Sequence, residues 1–169
     1  TNPFSDVKEK DWFYSAVKFA CENKLMNGVS NDLFAPRGAT TRGMIVTMLH
    51  RLEGSPEQGS PEKGNPEQGG PEQGNSEPKA DNPFADVAGN KYYSQAVKWA
   101  AGNQIVSGYG DGNFGPDDCI TREQLAVIFM NYAKHKGYDT AARAELDKFT
   151  DSGKISQWAM DAMSWANAE

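Results

Sequence analysis

The chain has 169 residues, with 23 acidic side chains against 17 basic ones and a formal net charge of −6. That balance lacks the basic footprint of a general nucleic-acid binder, and no apolar run approaches the roughly 18–20 residues that cross a bilayer. Only 38% of residues are hydrophobic, yet 11% are aromatic, so aromatic-rich folded segments must stand beside a solvated tract.

The N-terminus, Thr1-Asn2-Pro3-Phe4, shows neither an initiator Met nor a basic region followed by an apolar stretch. It reads as a mature or excised fragment. The first predicted helix carries Phe13, Ala16, Val17 and Ala20 at helical spacing. A loop from Gly28 to Pro36 follows. A second helix opens at Thr41, with Met44, Ile45, Met48, Leu49 and Leu52 on one face. Ser55 to Lys79 then repeats Pro-Glu-Gln-Gly with a period of five and holds no apolar side chain besides proline. Such a tract buries too little to offset its ordering entropy, and it is predicted to be a flexible linker.

Beyond the linker the first segment returns. Asn2-Pro3-Phe4-Ser5-Asp6-Val7 becomes Asn82-Pro83-Phe84-Ala85-Asp86-Val87, a shift of 80 residues. The shift holds from Ala16-Val17-Lys18 (Ala96-Val97-Lys98) through Gly28 (Gly108), Phe34 (Phe114) and Pro36 (Pro116) to Thr41-Arg42 (Thr121-Arg122). A third helix is thus expected around Tyr93, Ala96, Val97 and Ala100, and a fourth from Thr121 through Leu125, Ile128, Phe129 and Tyr132. Thr121 with Gln124 fits a capping box, whereas Met44 leaves Thr41 a lone cap. A short helix is expected over Ala141–Leu146, and a last one after the N-cap Ser156, with Trp158, Ala162 and Trp165. Phe149-Thr150-Asp151 opens this third copy, which stops at Glu169 before any counterpart of Gly108 or Thr121-Arg122. The reading is all-α, in tandem helix-loop-helix repeats: repeat one at 1–54, linker at 55–79, repeat two at 80–137, and a connector with half of repeat three at 138–169. Single units cannot bury their apolar faces, so stacked units must build the core.

This ordered pattern resembles the S-layer homology module: Phe-x-Asp-Val, an aromatic helix, Phe-x-Pro, then Thr-Arg opening a helix. Repeat two carries all of it, ending in Ile120-Thr121-Arg122-Glu123; repeat one reads Thr40-Thr41-Arg42-Gly43 and lacks the acid. The resemblance implies modules in a pseudo-threefold bundle. It also implies a protein of the bacterial exterior, held non-covalently at the cell wall or S-layer by an acidic, often pyruvylated, polysaccharide. The expected polysaccharide-binding residues are Arg42, Arg122, Thr41, Thr121, Lys18, Lys98, Gly28, Gly108 and Tyr109. An Arg in the first helical turn works slightly against the helix dipole but presents a planar donor fork to a carboxylate. Trp12, Tyr92, Tyr93, Trp99, Trp158 and Trp165 are candidates for stacking on sugar faces, though aromatics at helical spacing are more commonly core.

Other residues read as structural. Gly28 and Gly108 are expected to end helices with positive φ. Asp6 and Asp86 are expected to serve caps or turns. His50 and His135 are expected as exposed groups near helix C-termini. Cys21 and Cys119 are read as buried apolar residues rather than a bridge. No cofactor or metal is expected, and no nucleophile-and-base set suggests an enzyme. A calcium helix-loop-helix is the rival reading for Asp111 and Asn113, but the required ligand positions and terminal Glu are missing. A second alternative is an interaction module, in which the half repeat leaves apolar surface for self-association or for complementation by another chain.

Overall fold

A computed structural model describes residues 2–55 and 82–168; nearly all of the predicted linker lies outside them. Among the described residues there are five α-helices: α1 (Tyr14–Glu22), α2 (Arg42–Leu52), α3 (Ser94–Gly102), α4 (Arg122–His135) and α5 (Met160–Ala168), with 3₁₀ turns at Ser152–Lys154 and Gln157–Ala159. The fold is all-α. Among the described residues, one antiparallel bridge between Thr41 and Cys119 is the only strand-like pairing.

Most of these helices fall below the roughly 12–15 residues at which isolated helices become stable in water, so packing must hold them. That packing runs between repeats. α2 lies on α3, and α4 lies on α5. The largest core joins Ile45, Val46 and Leu49 of α2 to Tyr93, Ala96, Val97 and Ala100 of α3, with Ile105 and Phe114 from the repeat-two loop. Val46, Val97, Ile105 and Phe114 are fully buried. Repeat one keeps a small cluster of its own around Phe4, Val7 and Val17. A third joins Ala126 and Met130 of α4 to Ala162 of α5.

The caps follow the sequence. Thr41 accepts from the Met44 N–H, and Thr121 forms the full capping box with Gln124. Other expectations are corrected. Residues 141–146 form no helix: Asp139 takes the Ala141 N–H, the Ala144 N–H donates to the Ser164 carbonyl, and Arg143 reaches Asp161. Ser156 caps with no side-chain bond; its hydroxyl and N–H both go to Glu123. Gly28 and Gly108 have no positive φ, and the left-handed residues after α1 and α3 are Lys24 and Gln104. The two glycines serve close packing instead. A Cβ on Gly108 would collide with the Asn113 carbonyl and stand 2.7 Å from the Phe84 ring. Both cysteines are unbridged, but neither is fully buried: Cys21 is half-buried and Cys119 exposed.

Candidate functional site

The segments that open α2 and α4 run against each other. Ile120 N–H donates to the Thr40 carbonyl (3.0 Å), Arg42 N–H to Asp118 (3.0 Å) and Gly43 N–H to Pro116 (2.8 Å). These bonds occupy N–H groups at the α2 N-terminus that no intrahelical acceptor can reach. They also aim Arg42 into the loop of repeat two. Its Nε donates to the Phe114 carbonyl (2.9 Å) and its Nη2 to the Ser107 carbonyl (3.2 Å). The guanidinium lies 4.7 Å from the centre of the Tyr109 ring and 4.6 Å from that of Phe114, within cation–π range. Arg42 is only 5% exposed. Burial pulls its pKa below the ordinary value, while Tyr109, Asp118 and Asp86 oppose that pull. Gly43 is demanded by the same junction, since a Cβ there would press on the Tyr93 ring at 3.0 Å. Burial and Asp117 push the Tyr93 phenol up to about 12.

A second device fastens the same loop. The Asp86 carboxylate accepts from the N–H groups of Phe114 (2.8 Å) and Gly115 (2.7 Å). Asp6 does the same for Phe34 (2.9 Å) and Ala35 (2.8 Å). The bond from Phe34 is the largest cause holding Asp6 below the usual carboxylate range. These aspartates brace loops 28 residues downstream; they do not cap the helices that follow them.

Two concavities flank the braced loop. One is mainly apolar, lined by Pro83, Phe84, Ala101, Val106 and Gly108, with Lys98 as its cation. The other is acidic, lined by Asp86, Asp111, Asp117 and Asp118 beside Tyr109. The second repels an anionic ligand; the first suits a group that is part apolar and part carboxylate. Asp111 turns its Oδ1 inward to the Asn113 N–H. Among the described residues, no group of three or more His, Cys, Asp or Glu side chains could hold a metal ion.

The profile of the S-layer homology domain matches residues 3–43 and 83–126, which contain both halves of this junction. The chain belongs to that family. It is also similar to an endoglucanase of Bacillus sp. (strain KSM-635), 29% identical over 167 residues that make up 97% of this chain and 15% of that protein. A surface-layer 125 kDa protein of Lysinibacillus sphaericus is 28% identical over 75% of this chain and 9% of its own length. Cell surface glycoprotein 1 of Acetivibrio thermocellus is 26% identical over 80% of this chain and 5% of its own. The chain thus spans a small fraction of these relatives.

The sequence treats Arg42 and Arg122 as equivalent, but their surroundings differ. Arg42 is buried in the next repeat, and Arg122 is exposed. Thr41 and Thr121 sit at helix caps. Arg42, Gly108 and Tyr109 meet at one loop, with Lys98 beside it. Lys18 and Gly28 belong to repeat one, where Lys18 Nζ lies 3.9 Å from Glu22. Trp12 is 93% and Trp158 57% exposed, whereas Tyr93 is core. The residues missed in the sequence are Asp86, Ser107 and Phe114. The shared spacing from Asp6 to Phe34 and from Asp86 to Phe114 was the available signal.

Proposed function

We propose that this chain anchors a larger bacterial cell-surface protein, without covalent bonds, to a cell-wall polysaccharide bearing acidic substituents such as ketal-linked pyruvate. The observation that carries the reading is the apolar groove with Lys98, whose wall at Ser107 is braced by Arg42 from the preceding repeat. A ketal-linked pyruvate pairs a methyl group with a carboxylate. Lys98 meets the carboxylate, and Phe84 and Ala101 meet the apolar part. Arg42 acts as a positioning residue because its donors already have acceptors. The chain works as a binding module, and any catalysis of the parent protein lies in other domains.

Lys98→Ala should weaken binding to purified wall polysaccharide about tenfold, in line with the roughly 1.5–3 kcal/mol of a charge-assisted hydrogen bond. The difference from the unsubstituted chain should vanish on polysaccharide stripped of its acidic groups. Lys18→Ala should cost less, since Lys18 belongs to repeat one and lines no part of this groove. Equal binding by Lys98→Ala and the unsubstituted chain would remove the site from this groove.

A further inference from the structure

The groove of repeat two has a counterpart in repeat one, at the shift of 80 residues. Its frame is the same in both. Pro83, Phe84, Lys98 and Gly108 are matched by Pro3, Phe4, Lys18 and Gly28. The frame is also packed alike: a Cβ on Gly28 would collide with the Phe4 ring, as one on Gly108 would with Phe84. The remaining lining differs at every position. Ala101, Gly102, Val106 and Ser107 give way to Cys21, Glu22, Met26 and Asn27. All four residues of repeat one are larger, and one of them is anionic.

The largest of these differences is at Gly102. It ends α3, it lines the groove, and a Cβ there would meet nothing within 4 Å. At the same place on α1, Glu22 adds a carboxylate whose Oε1 lies 3.9 Å from Lys18 Nζ. Lys18 is the cation of the repeat-one frame. A ligand carboxylate approaching Lys18 would meet Glu22 at close range, between side chains at 21, 26 and 27 that are bulkier than those of repeat two. Added methylenes in a pocket and a like charge at a contact each discriminate between ligands by about tenfold or more.

We infer that the two repeats differ in specificity, and that the position shared by Glu22 and Gly102 sets the difference. Gly102 leaves the repeat-two groove open to an acidic substituent, and Glu22 closes the repeat-one counterpart to anions. The chain therefore takes one acidic substituent, not two. This rests on the function proposed above, in which the Lys98 groove receives a carboxylate; it adds the residue that decides which repeat does so.

The probe is a synthetic methyl hexoside carrying one ketal-linked pyruvate, titrated calorimetrically into the whole chain. One site per chain is expected. Gly102→Glu should weaken binding by about tenfold or more, the scale of like-charge contact. Gly102→Gln, of nearly the same size, should weaken it less. Glu22→Gly combined with Met26→Val should raise the stoichiometry to two. Gly102 and Glu22 are both exposed, so neither change threatens folding. Lys98→Ala in the same titration tests the underlying function: unchanged binding there removes the ligand from this groove. Where Lys98→Ala does weaken binding, three results would overturn the inference alone. They are two sites in the unsubstituted chain, equal affinities of Gly102→Glu and Gly102→Gln, or a stoichiometry that stays at one in the doubly substituted chain.

Discussion

Two arginines eighty residues apart open two helices with the same Thr-Arg pair. One is a buried rivet between repeats; the other stands in solvent. The same sequence motif thus takes opposite burial: the repeat-two loop covers Arg42, and among the described residues no loop covers Arg122. The unit of stability is the junction between repeats, not the repeat. The core around α2 and α3 is large because it draws on both repeats, whereas repeat one's own cluster is small because, among the described residues, no other helix lies on α1. In a repeat protein, stability is the sum of such nearest-neighbour interfaces.

The sharpest way to break that comparison is to truncate both arginines. Arg42→Ala strips the Phe114 and Ser107 carbonyls of their donors and leaves a gap between Tyr109 and Phe114. It should destabilise the chain by about 2–3 kcal/mol, the range for abandoned buried partners. Arg122→Ala should stay within about 0.5 kcal/mol, as surface changes do. Urea denaturation of both variants decides it, and equal losses would show that the junction does not depend on Arg42.

Glycines give the next contrast. Gly108→Ala forces a methyl group against the Asn113 carbonyl and the Phe84 ring, an overpacking that costs about 1–3 kcal/mol. Gly102, at the end of α3, has open space where a methyl group would stand and no positive φ. Gly102→Ala should stabilise by up to about 1 kcal/mol, the propensity gap between Gly and Ala. Thermal melts of the pair should move in opposite directions. A fall with both would mean that α3 has less room at its end than the geometry allows.

Much of this architecture is legible in the residues. The shift of 80 marks the repeats, and the Thr-Arg pair marks the helix starts, because caps and apolar periodicity are local signals. What is not legible is long-range. Nothing near Arg42 says that its side chain crosses into another repeat, for its partners lie at Ser107 and Phe114. Asp86 looks like a cap from its neighbours and proves to be a loop tether, because its acceptor role is filled 28 residues away. The run Ala141-Ala142-Arg143-Ala144 has helical propensity, yet Asp139 and Ser164 claim its N–H groups first. Propensity yields to tertiary hydrogen bonding there.

The histidines carry the comparison to its finest grain. His50 of α2 and His135 of α4 both flank Trp99, at ring distances of 5.2 and 6.1 Å. His50 belongs to the filled junction and is half-buried, while His135 is exposed. Burial lowers the His50 pKa, and the Arg51 charge lowers it further; its Nδ1 also meets the Ser55 hydroxyl at 2.9 Å. The folded chain therefore takes up this proton less readily than the unfolded chain. Stability is full above the unfolded value near 6.5 and declines as pH falls below it. A second decline should begin at lower pH. Glu53 is held below its ordinary value chiefly by the Tyr132 hydroxyl, then by Lys136, and its stabilising bonds are lost as pH drops through that lowered pKa. Denaturation midpoints measured from about pH 7.5 to about pH 5 should show a shallow fall. His50→Gln should flatten it, because His50 is desolvated by the packing of α2 on α3. A flat profile in the unsubstituted chain would mean that His50 stays solvated, and the filled junction would then be looser at its C-terminal end than at Arg42.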